Sequence, residues 1–250
     1  MNRVLVALFT FCFSVHTFAN ITLSQNRIYF GPNDRANAVQ LRNTGGNAME
    51  YKTSIHFVKM TEQGQIIKVA APQESKDELA AKMLRFSPKR GVVPAGGKQV
   101  IRFSLRRPRD LEVGEYRAVL SIATSIATEK PEDVTLKPTL AYNMPVIMRH
   151  GDTKASTELQ NSRLVMLDQH PHIELTQTLD GNRSLYGNYT VVDKRGDVMG
   201  LLNGVAVYTP LSQRKVLIPL NQVPSGDLIV KYQEVSSFGG REEAEASITL

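Results

Sequence analysis

From Ile21 to the C-terminus the chain is a succession of short segments in which apolar and polar residues alternate, each cut off by turn-forming residues. A period of two sends successive side chains to opposite faces of an extended strand, so each segment buries one face against a second layer. That pattern predicts antiparallel sheets packed face to face. Tyr51, Thr53, Ile55 and Phe57 share one face of a strand and Lys52, Ser54, His56 and Val58 the other. Gly31-Pro32-Asn33-Asp34, Asn43-Thr44-Gly45-Gly46-Asn47 and Pro94-Ala95-Gly96-Gly97 supply the turns. Residues 74–84 are an exception, because Leu79, Ala80, Met83 and Leu84 follow helical spacing. The alternation resumes after Gly151-Asp152-Thr153-Lys154, a small, polar stretch with the character of an interdomain hinge. The expected fold is all-β, two β-sandwich domains in series over residues 20–150 and 151–250.

The first residues read differently. Arg3, an apolar run over residues 4–15 and Thr17-Phe18-Ala19 have the layout of a cleavable export signal, residues 1–19. A cut after Ala19 removes Cys12, the single cysteine, so the exported chain has neither disulfide nor thiol nucleophile and must hold together by packing. The excess of 30 Lys+Arg over 24 Asp+Glu, a net charge of +6, raises the question of nucleic acid. The basic residues are spread along the chain, and the densest groups, Lys89-Arg90 and residues 102–109, are mixed with strand and turn residues. Without a basic helix or stacking aromatics they predict a solvated surface and no nucleic-acid partner. Enzyme signatures (HExxH, GxSxG, a P-loop) are absent from the sequence. His170-Pro171-His172 is the best metal candidate but lacks an evident third ligand, so the expectation is no metal, no cofactor and no catalysis.

What remains is a binding surface. Over residues 134–148, Val134, Leu136, Leu140, Tyr142, Met144, Val146 and Met148 fall on one parity, interrupted by Pro138. Proline cannot donate to a ladder and is confined to edges and bulges, so this run is expected at a sheet edge. Proteins ordinarily suppress a long apolar edge; one that is retained suits strand addition, in which backbone bonds supply affinity and alternate side chains fill a partner's pockets. An ordinary core strand facing its own sandwich fits the pattern equally well.

Several stretches resemble the periplasmic PapD-like chaperones of the chaperone–usher pilus pathway: residues 23–30, Val39-Gln40-Leu41-Arg42-Asn43, Leu84-Arg85-Phe86-Ser87-Pro88, Val100-Ile101-Arg102, Gly114-Glu115-Tyr116-Arg117 and residues 144–149. The wording of the last two is similar to the archaic branch. The resemblance implies two immunoglobulin-like domains set as a boomerang, and a non-enzymatic periplasmic chaperone. Such a chaperone lends its last strand to pilus (fimbrial) subunits and delivers them to an outer-membrane usher. By position the lent residues are Leu136, Leu140 and Tyr142, with Val134 and Met144 as end members. Arg27 matches the base that anchors a subunit's terminal carboxylate, while the family's second basic position is Pro145 here; one arginine suffices, or Lys137 reaches in, or the carboxylate is held differently. Glu115 and Arg149 match the family's interdomain ion pair. A competing reading is a pilus subunit or surface adhesin domain, which calls for an N-terminal alternating extension and usually a disulfide. Self-association through the edge strand is also expected of an exposed apolar edge.

Overall fold

The computed structural model describes residues 21–71, 73, 75–127 and 138–250; the export signal, Val134 and Leu136 lie outside the described residues. The first part contains β1 (Ile21–Leu23), β2 (Ile28–Phe30), β3 (Ala36–Asn43), β4 (Met49–Met60), β5 (Ile66–Val69), α1 (Lys76–Met83), β6 (Leu84–Ser87), β7 (Arg90–Val93), β8 (Lys98–Leu105), β9 (Gly114–Ile126) and β10 (Leu140–His150). The second contains β11 (Ala155–Ser156), β12 (Leu159–Leu167), β13 (His170–Thr178), β14 (Asp180–Gly181), β15 (Leu185–Asp193), β16 (Val198–Val207), β17 (Gln213–Pro219), β18 (Leu228–Glu234) and β19 (Glu243–Ile248).

In the first domain the sheet β1-β3-β8-β6 faces the sheet β2-β10-β9-β4-β5, with β7 added on β4. Between them lies one core that includes Ile28, Phe30, Leu41, Ile101, Phe103, Tyr116, Leu120 and Ile122. A large apolar side chain buried in this way contributes about 1.5–3 kcal/mol relative to exposure. The second domain repeats the plan with the sheets β12-β13-β17 and β16-β15-β18-β19 around Ile173, Tyr189, Val191, Val216, Ile218 and Tyr232. The chain is thus all-β, two immunoglobulin-like sandwiches in series. Tyr116 donates its hydroxyl to the Glu112 carbonyl at 2.8 Å, the corner contact of such sandwiches. Asn43, fully buried, donates from Nδ2 to the carbonyls of Asn47, Val93 and Pro94, at 2.7, 3.1 and 3.1 Å, and so clamps two turns together.

The helix forms within the expected span, N-capped by Ser75, whose hydroxyl accepts from the Glu78 amide at 3.1 Å. Its buried residues are Ala80 and Met83; Leu79 is exposed and Leu84 already opens β6, because two helical turns leave room for only a short stripe against the core. His170, Pro171 and His172 open β13, and both rings turn Nδ1 to backbone carbonyls, those of Asp168 and His170. No group of three or more metal-ligating side chains occurs among the described residues. None of the described helices is long and apolar enough to cross a membrane.

The last strand of the first domain departs from a simple edge. Along its whole length β10 pairs antiparallel with β9, Leu140 opposite Thr124 and His150 opposite Gly114. On its other side β2 pairs in parallel with Val146, Ile147 and Met148 only. Residues 140–145 therefore have no strand partner on that side among the described residues, while the following three are interior.

Candidate functional site

The free half of β10 borders the crevice between the two sandwiches. Leu140 is 53% exposed, Tyr142 is half-buried and donates its hydroxyl to the Ile21 carbonyl at 2.5 Å, and Met144 is 2% exposed inside the first core. The parity read from sequence is one continuous face that belongs to the protein's own core from Met144 onward and runs out of that core by Leu140. Met144 is thus corrected from a lendable side chain to a core residue. The opposite parity, Ala141, Asn143 and Pro145, lines a chamber of about 550 Å³ together with Val119, Ser121, His56, Lys68, Arg117 and, from the second domain, Tyr208. The cations in that lining are unopposed by any lining carboxylate. Burial, helped by the nearby Lys68 charge, holds the His56 imidazole below its usual range.

Arg117 was not expected at this site. It leaves β9, its guanidinium carbon stands 4.4 Å from the centroid of the Tyr208 ring, and Nη1 donates to the Thr209 carbonyl at 3.1 Å. Its nearest carboxylate oxygen, on Asp77 of α1, is 3.8 Å away, an ion-pair distance too long for a hydrogen bond. Desolvation raises the Asp77 carboxyl above its ordinary value, Arg117 pulls it down, and Glu115 adds to the rise. The sequence signal for Arg117 was available: with Glu115 it forms a charged i, i+2 pair in a strand that is otherwise mostly apolar and buried.

Arg27 lies at the seam between the two sandwiches. It is 5% exposed, its guanidinium stacks 3.8 Å from the centroid of Tyr186, and Nη2 donates to the Tyr208 hydroxyl at 3.1 Å. The cavity beside it is about 10 Å³, room for one water at most. The Nε of Arg27 is buried without a partner, and its remaining contacts tie the first domain to Tyr186 and Tyr208 of the second.

Glu115 and Arg149 are brought together. Arg149 Nε donates to Glu115 Oε2 at 3.2 Å, Nη1 to the carbonyls of Phe238 and Gly239 at 3.2 and 3.0 Å, and Nη2 to the Ser184 carbonyl at 3.3 Å. Glu115 Oε2 also accepts the Ser184 amide at 3.1 Å, whereas Oε1 is buried without a partner. The second domain answers the pair with backbone groups, and its own buried pair sits alongside: Arg183 donates two parallel bonds to Glu234, at 2.8 and 2.9 Å. Phe238 packs edge-on against Tyr29 and Tyr186. The β4–β5 turn adds a further tie, the Glu62 carbonyl accepting the Lys215 amide at 2.6 Å. Arg214 packs over Gly64 in the same turn, whose φ of +79° suits glycine.

No model of a protein family matches the chain, and no curated protein does. Solved structures do. The YadV chaperone superposes with a TM-score of 0.53 at 13% identity, covering 91% of this chain and 99% of the other. The Escherichia coli chaperone DraB gives 0.51 at 11% identity, covering 91% and 96%. CsuC–CsuE, a chaperone–tip adhesion subunit pre-assembly complex from archaic chaperone–usher Csu pili of Acinetobacter baumannii, gives 0.50 at 13%, covering 91% and 98%. The two-sandwich fold of these chaperones is therefore the fold of this chain.

Proposed function

We propose that this chain is a periplasmic chaperone, exported behind residues 1–19, that holds pilus subunits by lending them the free edge of β10 and passes them to an outer-membrane usher. The observation that carries the reading is that edge: residues 140–145 lack a partner strand, Leu140 is largely exposed at its start, and a cationic chamber lies beside it. A subunit strand laid along the edge gains backbone hydrogen bonds, and the side chains that continue the chaperone's own core face pass into the subunit. Those are Leu140 and, upstream, Leu136 and Val134, with Tyr142 at the boundary. Covering the exposed half of Leu140 contributes roughly 1 kcal/mol, so one side chain sets only part of the affinity and register carries the rest.

A subunit's terminal carboxylate is assigned to the chamber, with Arg117 as its principal base and Lys68 adding positive charge, while the His56 imidazole, held below its usual range, stays neutral. A guanidinium meets a carboxylate with two parallel hydrogen bonds. In this reading residues 20–150 lend the strand, residues 151–250 supply the Tyr208 wall, and the work is binding, with no chemical step.

The test is co-expression of the folded chain with a strand-deficient pilus subunit. Leu140→Glu is expected to lower recovery of the complex about tenfold by placing a charge in an apolar pocket, while Thr139→Glu, exposed and on the other parity, stays near wild type. Equal recovery from the two variants overturns the assignment of the lent face.

A further inference from the structure

The proposed subunit capture makes no use of the basic run at residues 102–109. Its last members stand where β10 ends, beside a cleft of about 650 Å³ between the turn after β2 and the segment after β8. Arg35, Arg106, Arg107 and His150 line this cleft, and no carboxylate does. Arg107 is fixed in place by carbonyls, donating to Asp34 and Gly31 at 2.6 Å each and to Arg149 at 3.2 Å. Arg35 and Arg106 are exposed, and their side chains have no ion pair or hydrogen bond among the described residues. Nδ1 of His150 is buried and has no partner. The nearest acid, Asp34, turns Oδ2 to the Gly31 amide at 2.8 Å. Burial lowers the Arg107 guanidinium from its usual range, Asp34 opposes that, and the like charge of Arg35 adds to it. Cations are thus gathered against mutual repulsion, with donors left open.

We propose that this cleft is an oxyanion site that takes a phosphate-class dianion, held by the forks of Arg35 and Arg106 and by the His150 ring. Guanidinium donors match phosphate oxygens in pairs, and two uncompensated forks favour a doubly charged ligand over a single carboxylate. Free inorganic phosphate and the phosphomonoester headgroup of phosphatidic acid share this chemistry. The proposal is independent of the chaperone reading, and its failure leaves that reading untouched.

The experiment titrates the full folded chain with inorganic phosphate, and separately with chloride, at fixed ionic strength. It follows the imidazole resonances of His150, assigned by their loss in His150→Gln. A saturable shift with phosphate and none with chloride is expected. The exposed double variant Arg35→Gln/Arg106→Gln should weaken the apparent affinity about tenfold or more without moving the melting temperature. Flotation with phosphatidylcholine vesicles, with and without phosphatidic acid, separates the sources. Binding only to the anionic vesicles, lost in the double variant, supports the headgroup, and saturation by free phosphate without vesicle binding supports the soluble ion. A linear shift, an equal response to chloride, or an unchanged affinity in the double variant overturns the site.

Discussion

Replacing Arg149 by methionine removes a charge but keeps most of the apolar stem, and its consequence can be worked from the contacts. The side chain is 7% exposed and its partner Glu115 is 1% exposed. Four acceptors lose their donor: Glu115 Oε2 and the carbonyls of Ser184, Phe238 and Gly239. Glu115 is left with the Ser184 amide as its hydrogen-bond donor, since Oε1 is already orphaned. Breaking one side of a buried pair costs about 3–5 kcal/mol because the remaining charge stays desolvated. In a chain of this size each kcal/mol lowers the melting temperature by about 2–4 °C, so a drop of roughly 10 °C is expected.

Three of the four lost contacts, those to Ser184, Phe238 and Gly239, join the two sandwiches. The domains should therefore also uncouple, one broad or double transition replacing a steeper one. Far-UV circular dichroism is the readout, because the chain has no tryptophan. The double variant Glu115→Leu/Arg149→Met should recover part of the loss, since it leaves no buried charge unpaired. A shift under about 2 °C for Arg149→Met, or a double variant whose cost equals the sum of the two single changes, would refute the argument that this pair is the desolvated centre of the interface.

Other expectations concern the crevice. Arg117→Lys keeps the charge but loses the fork; complex recovery with a pilus subunit should fall about tenfold while the melting temperature moves by only a few degrees, and full recovery would remove Arg117 from the carboxylate site. Asp77 has a folded-state pKa raised by burial, so its charged form costs stability above that raised value and the cost vanishes below the ordinary carboxylate range. Asp77→Asn should therefore lose less stability than wild type as pH rises from about 3 to 6, read from urea midpoints; parallel profiles would contradict it.

The sandwiches were legible because their cause is local. A period-two pattern on β4 and β10 names the buried face without any knowledge of what covers it, and Tyr51, Met144, Val146 and Met148 are buried as that parity requires. Where a face changes its partner is not local. Nothing in the spacing of Leu140, Tyr142 and Met144 tells that the protein's own core ends between the first and the last. Strand β16 runs over Val198–Val207 although it contains Gly200, Asn203 and Gly204, residue types that strands disfavour, and its pairing with β15 accommodates them through register shifts. Arg27 was legible as a buried-type anchor only by analogy. Its real neighbours, Tyr186, Tyr208 and Phe238, lie in another domain and no short-range pattern links them to it.

Buried arginines in this interface divide by what already occupies their donors and by the space in front of them. Arg183 has its fork filled by Glu234, with Glu242 close by. Arg149 has all three nitrogens donating to protein acceptors. Arg27 uses one bond, but aromatic rings cover its face and only about 10 Å³ is open beside it. Arg117 donates once to a carbonyl, stands 3.8 Å from Asp77, and opens onto about 550 Å³. A permanent charge with unused donors is stable in such a place only if water or an anion completes its shell. A ligand carboxylate that replaces that water meets a cation whose desolvation was already met by folding, and so gains more than it would at an exposed lysine. By that reasoning Arg117, two residues beyond Glu115, has both the donors and the space that the proposed carboxylate site needs, whereas Arg27, whose Nε is also unpartnered, has the donor without the space in this domain arrangement.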